Sequence, residues 1–289
     1  MMESLTPLTD PLPLSGDELP EAAFAAILVL LRERRQFDLQ NYKDRCIRRR
    51  IVKRLRASGA GDIDSYLDRL AGDEAELDRL LATLSVNVSR FFRDPQVFHA
   101  LERRFLPELC AQARAAGRGG LRLWSAGCAG GEEPYSLALL TEALAPPGLQ
   151  VSILATDVSA PILARAREGR YPPSHLEELP ELLRASYFQE EHREYRLTPR
   201  IRALVDFRRH DLITTGSYPP ADLILCRNVL MYFGREEQDL ILARFAAALP
   251  VGGLLVLGLT EILPCTAAGQ FGEALPAQRI FRRLADSAA

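Results

Sequence analysis

The sequence predicts a two-part chain: a small all-α domain followed by an α/β domain whose parallel sheet carries helices on both faces. Three observations predict it. Up to about Leu109 apolar residues recur at three and four spacing, and beyond Ala116 short apolar runs alternate with helical segments. The first of those runs, LRLWSAG from Leu121, ends in a glycine turn, GCAGGEE from Gly127 to Glu133, that opens a helix.

The elements follow in order. The opening MMESLTPLTDPLPLSGDELP is rich in proline, which removes backbone donors and disfavours helix at the preceding residue, so residues 1–20 are expected as a disordered tail. EAAFAAILVLLRERR, NYKDRCIRRRIVKRLRASG, DIDSYLDRLAGD and EAELDRLLATLSV read as helices, with Gly59 and Gly61 as stops after the second. The helical domain is expected over residues 21–115, and the Gly-rich hinge AGRGG, Ala116 to Gly120, opens the α/β domain over 116–289. Its strands are LRLWSAG, VSILATD, VDFRR, DLILC and GLLVLGL; a helix separates the first two, and REEQDLILARFAAALP the last two. Residues 171–204, with their prolines and many charges, interrupt the alternation as an inserted helical or hairpin subdomain. RIFRRL near the end is expected to add an edge strand.

Composition narrows the function classes. An apolar content of 47% over 289 residues supports a sizeable core, and a formal net charge of -2 gives no overall basic field to recruit nucleic acid or an anionic membrane. The five cysteines are odd in number and scattered without a C-x-x-C pair, which argues against a disulfide framework and a zinc site and fits a reducing cytoplasm. Apolar runs such as Gly252 to Leu259 are far shorter than the ~20 residues that span a bilayer, and no basic and apolar leader opens the chain. His99, His175, His192 and His210 show no metal spacing and are expected in surface or structural roles.

The glycine loop is not the G-x-G-x-x-G that admits a pyrophosphate, and two glutamates beside it would repel phosphate. The next strand ends in Asp157, where a carboxylate can accept both hydroxyls of a ribose. A nucleoside without phosphates fits, and S-adenosylmethionine, with its sulfonium and ammonium cations, is such a ligand. Taken alone, Glu132 and Glu133 read equally well as the start of a helix.

Four separated motifs resemble the CheR-type chemotaxis methyltransferases: NVSRFFRDPQVF (Asn87 to Phe98), WSAGCAGGEEPYSLA (Trp124 to Ala138), ILATDVSAPILARAREGRY (Ile153 to Tyr171) and DLILCRNVLMYF (Asp222 to Phe233). The resemblance implies a Rossmann-like domain that transfers methyl groups from S-adenosylmethionine to glutamate side chains of chemoreceptor cytoplasmic domains, leaving S-adenosylhomocysteine. It places Asn87, Ser89, Arg93, Glu133, Asp157, Asp211, Leu212, Arg227 and Asn228 at the cofactor, and Arg93 and Tyr232 at the reacting end. Ser89 stands where family members commonly have threonine, and Asp211, in the adenine region, where they usually have asparagine. Glu132 then reads as a helix-start residue. A glutamate acceptor, with a reference pKa of about 4.3, is ionised at neutral pH and needs no general base; with no metal spacing among the histidines or cysteines, no metal is expected. The rival reading is a module that binds the cofactor and regulates a signalling array without transferring methyl groups; a nicotinamide dehydrogenase fails on the glycine pattern.

KDRCIRRRIVKRLR, Lys43 to Arg56, concentrates positive charge on one helix. By composition it is a solvated amphipathic helix or a nucleic-acid site. The resemblance implies instead that Arg45, Arg49, Lys53 and Arg56 face the acidic methylation helices of a receptor. Some family members hold a receptor pentapeptide on an inserted three-stranded β-subdomain; here YFQEEHREYRLTPRIRALVDF is short and lacks their glycine-containing loop, so pentapeptide-independent recognition by a monomer is expected.

Overall fold

The computed structural model describes residues 19–35, 37, 39, 44–84 and 89–285. Most of the expected tail lies outside them, as does Asn87. The chain divides into two compact units between Val86 and Asn87, so the domain boundary expected at 115 is corrected to 86. Val97, Phe98, Leu101, Phe105 and Leu109 join the core beneath the sheet of the second unit. Periodicity identifies a helix but not the surface it covers, which is why the sequence assigns this stretch to the wrong domain.

Among the described residues, the first unit holds α1 (Glu21–Arg35), α2 (Asp44–Ser58), α3 (Ile63–Gly72) and α4 (Glu74–Leu84). Each buries the stripe its spacing predicts, for example Phe24, Ile27 and Leu31 of α1 and Ile47, Ile51 and Leu55 of α2. α2 stops before Gly59, which takes a left-handed φ of 76°. Asp62 starts α3 by accepting the Ser65 N–H at 2.8 Å.

The second unit runs α5 (Pro95–Ala100), α6 (Leu106–Ala115), β1 (Gly120–Ala126), α7 (Glu132–Leu144), β2 (Gln150–Asp157), α8 (Ala160–Glu168), β3 (Arg170–Tyr171), α9 (Glu181–Tyr187), β4 (Phe188–Glu191), β5 (Glu194–Leu197), α10 (Pro199–Arg202), β6 (Val205–Arg209), β7 (Leu223–Cys226), α11 (Arg235–Ala248), β8 (Leu254–Leu257), β9 (Phe271–Leu275) and β10 (Ile280–Arg283). The main sheet has the order β6-β2-β1-β7-β8-β10-β9. Its first five strands are parallel, whereas β10 is antiparallel to both neighbours. The RIFRRL strand is therefore internal and β9 is the edge, a correction to the expected order. On one face Leu121, Leu123, Ile153, Ala155 and Phe207 pack with α7, while Trp124 turns to the other and meets Phe245 of α11 at 5.4 Å.

Strand order reverses between β1 and β7, so the crevice at their carboxyl ends is the place where such a sheet takes a ligand. The insertion forms a separate antiparallel sheet of order β3-β5-β4, in which His192 and Arg193 make the two-residue turn of the hairpin.

Candidate functional site

The crevice is lined by five loops that follow parallel strands. After β1 the chain turns through Gly127 at φ 77° and Gly131 at φ 93°. A Cβ on Gly127 would fall 2.5 Å from Val229 of the loop after β7, so glycine there allows the two loops to touch. Asp157 ends β2 and is clamped by backbone amides: Oδ2 accepts the Ala129 N–H at 3.1 Å and Oδ1 the Ser159 N–H at 2.9 Å. Burial pushes this carboxyl above its ordinary value, although the amides favour its charge.

Glu133, in the first turn of α7, accepts the Ser125 hydroxyl at 2.7 Å, and its other oxygen faces Arg227 at 3.5 Å. Burial raises its pKa against the pull of Arg227 and the nearby charge of Arg93. Cys128 reports the same environment. Its thiol is pushed well up by burial and by Asp157, Glu133 and Glu132 around it. Three carboxylates, Glu132, Glu133 and Asp157, therefore stand around the loop, a set that opposes a phosphate.

Glu132 begins α7, as expected, but it is also buried and faces His175 at 2.7 Å. The His175 carbonyl accepts the Phe91 N–H at 3.0 Å, and the Ser136 hydroxyl accepts the Phe92 N–H at 2.9 Å. These bonds hold the FFRD stretch in an uncommon backbone: Phe92 and Asp94 have φ of 54° and 59°, on either side of Arg93. Arg227 completes the clasp. Its buried guanidinium donates to the Arg93 carbonyl at 2.9 Å and to Asp94 at 2.6 Å, beside Glu133. The structure thus gives Arg227 the work of joining the FFRD segment to α7.

Asn228 follows with φ 61°, and its buried Oδ1 has no hydrogen-bond partner among the described residues. Its N–H donates to Glu261 at 2.9 Å. Tyr232 lies four residues on, half-buried, in a tight turn over Leu230–Tyr232. After β6, the His210 N–H bonds the Asp157 carbonyl at 3.1 Å, which places residues 210–212 beside the β2 end. Asp211 turns its carboxylate back on its own chain, Oδ1 accepting from Ile213 at 2.7 Å and Thr214 at 3.2 Å, and Leu212 is buried. That local bond suits an acceptor-only side chain as well as it would an asparagine. Ser89 is half-buried before the FFRD stretch.

Glu133, Asp157, Asp211, Leu212, Arg227 and Asn228 thus lie at or just after the carboxyl ends of parallel strands, and Arg227 ties Arg93 to them, whereas Asn87 lies outside the described residues. Sequence reasoning missed Asp94 and Glu261, and gave His175 a surface or structural role without its partner Glu132. Asp94 stood inside a quoted motif; the other two carried no local signal, because their partners are distant in sequence. Among the described residues, no group of three or more His, Cys, Asp or Glu is placed to hold a metal ion.

On α2 the bases separate. Arg48 bonds Glu21 at 2.5 Å and stacks on Phe24, Arg50 donates to the Leu84 carbonyl at 2.7 Å, and Arg54 grips the fully buried Glu76 with two bonds of 2.7 Å. Arg45, Arg49, Lys53 and Arg56 are exposed, and their spacing sets them along one face.

Residues 87–277 match the family described as CheR methyltransferase, SAM binding domain, and residues 22–85 the family described as CheR methyltransferase, all-alpha domain. The chain is 39% identical over 224 residues to a chemotaxis protein methyltransferase of Listeria monocytogenes, covering 78% of this chain and 84% of that protein. It is 33% identical over 252 residues to the chemotaxis protein methyltransferase of Salmonella typhimurium, covering 84% of each. Chemotaxis protein methyltransferase 1 of Pseudomonas aeruginosa is 31% identical over 251 residues, with 84% and 90% covered.

Proposed function

The chain belongs to the CheR methyltransferase family, and from that premise we propose that it transfers methyl groups from S-adenosylmethionine to glutamate side chains of a chemoreceptor cytoplasmic domain, forming γ-methyl esters. The observation that carries this reading is the set of three carboxylates around the glycine loop, Glu132 buried and Glu133 and Asp157 half-buried, with burial raising the pKa of the latter two. A ligand that brings positive charge and hydroxyl donors but no phosphate relieves that penalty. The described residues fit S-adenosylmethionine: Asp157 to accept ribose hydroxyls, Glu133 to face the ammonium end, Leu212 for the adenine region with Asp211 shaping its turn, and Ser89 and Asn228 as further polar contacts; Asn87 is assigned there by the family resemblance alone. The buried Oδ1 of Asn228, without a partner among the described residues, is an acceptor in want of a donor.

Bound S-adenosylmethionine supplies an electrophilic methyl group, and its transfer to a carboxylate cancels one positive and one negative charge without moving a proton. The protein therefore has to align rather than to ionise, and alignment can contribute roughly 7 to 11 kcal/mol. Arg93 and Tyr232 are assigned to hold the acceptor carboxylate at the reacting end, with Arg227 fixing the Arg93 backbone. The exposed stripe Arg45, Arg49, Lys53 and Arg56 complements acidic receptor helices. Recognition without a receptor pentapeptide, by a cytoplasmic monomer, is part of this reading; the two-residue turn between β4 and β5 supports it by leaving no extended loop there.

The test is methyl transfer from labelled cofactor to receptor cytoplasmic domains, followed by mild base. Base-labile label is expected. Cofactor binding with no transfer to any receptor domain would overturn the reading in favour of a regulatory module, and base-stable label would overturn the ester.

A further inference from the structure

Glu261 is a buried carboxylate in the loop after β8 that the methyl-transfer reading does not use. It accepts three backbone N–H groups. Oε2 takes those of Gly258 at 2.7 Å and Asn228 at 2.9 Å, and Oε1 takes that of Met231 at 3.2 Å. No side-chain cation pairs with it among the described hydrogen bonds and ion pairs; the amides alone stabilise its charge, which is how a carboxylate buried without a counter-ion persists.

The three amides belong to different jobs. Gly258 follows β8, Asn228 carries in a left-handed backbone the buried Oδ1 that has no partner among the described residues, and Met231 is the middle residue of the turn over Leu230–Tyr232. A Cβ on Gly258 would meet the Asn228 backbone N at 2.8 Å, its Nδ2 at 2.7 Å and Glu261 Oε2 at 2.9 Å, so the packing around this carboxylate leaves no slack.

We propose that Glu261 is the positioning residue for methyl transfer, its Oε2 setting Asn228 on the cofactor side and its Oε1 setting the Met231 to Tyr232 turn on the acceptor side. The inference rests on the reading of the site as a methyltransferase site. A fixed carboxylate suits the task because a neutral side chain at the same place cannot accept from both sides at once. An amide offers one acceptor oxygen and one NH2, and the NH2 would oppose an N–H.

That asymmetry gives the test. In Glu261→Gln the single oxygen stays with the paired Gly258 and Asn228 amides, and the NH2 faces Met231. Cofactor affinity by calorimetry is expected within about threefold of wild type, while kcat falls by about tenfold or more, because misplacing a reacting group by about 1 Å can reduce the rate by about a hundredfold. In Glu261→Ala both sides are released, and cofactor affinity is expected to fall about tenfold as well. Gly258→Ala, which wedges the same place from the other side, is expected to weaken cofactor binding likewise. Wild-type kcat in Glu261→Gln, with a folded protein by melting temperature, overturns the proposal, as does unchanged cofactor affinity in both alanine variants. If the wild-type chain transferred nothing to any receptor domain, the reading of function would fall, and the calorimetric arm would still decide what Glu261 holds. Should Glu261→Ala fail to fold, the near-isosteric Gln variant and Gly258→Ala carry the decision.

Discussion

At the residue scale the site is governed by carboxylates that burial holds above their ordinary pKa, and this sets a pH dependence. The free protein with Glu133 ionised carries a desolvation penalty that a bound cation relieves. As pH falls through the raised value Glu133 takes up a proton and the cation loses its partner, so binding weakens on acidification and releases protons when it occurs. The stability of the free chain moves oppositely: a carboxyl raised on folding adds stability as pH drops from the folded value toward the unfolded one. Calorimetry of S-adenosylhomocysteine binding between about pH 5 and 8, in buffers of different ionisation enthalpy, should show proton release that Glu133→Gln diminishes. Asp157→Ala should weaken cofactor binding by about tenfold or more through loss of a charge-assisted acceptor, and unchanged binding would remove it from the ribose site. Glu133, Asp157 and Arg93 were legible as motif residues. Glu132 was legible only as a helix start, since its pairing with His175 spans segments that no local pattern joins.

At the element scale α2 shows how one run of bases serves two ends. Arg54 and Arg79 hold the Glu76 carboxyl down to about 2, the Arg54 bond contributing most. This contribution to stability is full above the ordinary carboxylate range and is lost as pH falls toward 2. Breaking the pair by Glu76→Gln or Arg54→Ala should destabilise the first unit by about 3 kcal/mol, measured by denaturant unfolding. Reversing Arg49, Lys53 and Arg56 to glutamate should leave that stability nearly unchanged and raise KM for the receptor domain by about tenfold or more, an effect that salt mimics in the wild-type protein. Equal effects of both sets on unfolding would mean that the stripe is structural. The sequence displayed all these bases as one cluster; only their neighbours on α1 and α4 distinguish the half-buried Arg48, Arg50 and Arg54 from the exposed ones.

At the scale of the whole molecule, the described residues assigned to the cofactor all lie within the unit that begins at Asn87, and the basic stripe lies within the other. A fragment of residues 87–289 should therefore bind S-adenosylhomocysteine within about tenfold of the full chain while methylating receptor domains poorly; loss of binding in a folded fragment would show that the site needs the first unit. The sequence by itself determined the α/β class, the parallel strands, the glycine turn and the motif residues, because strand and helix periods and turn glycines are written in neighbouring positions. Tertiary structure alone decided the boundary at Val86, the internal place of β10, and the partners of Arg227, Glu132 and Glu261. Those contacts join segments far apart in the chain. Which of them meet is set by strand order and by the need to satisfy every buried polar group, neither of which a local pattern contains.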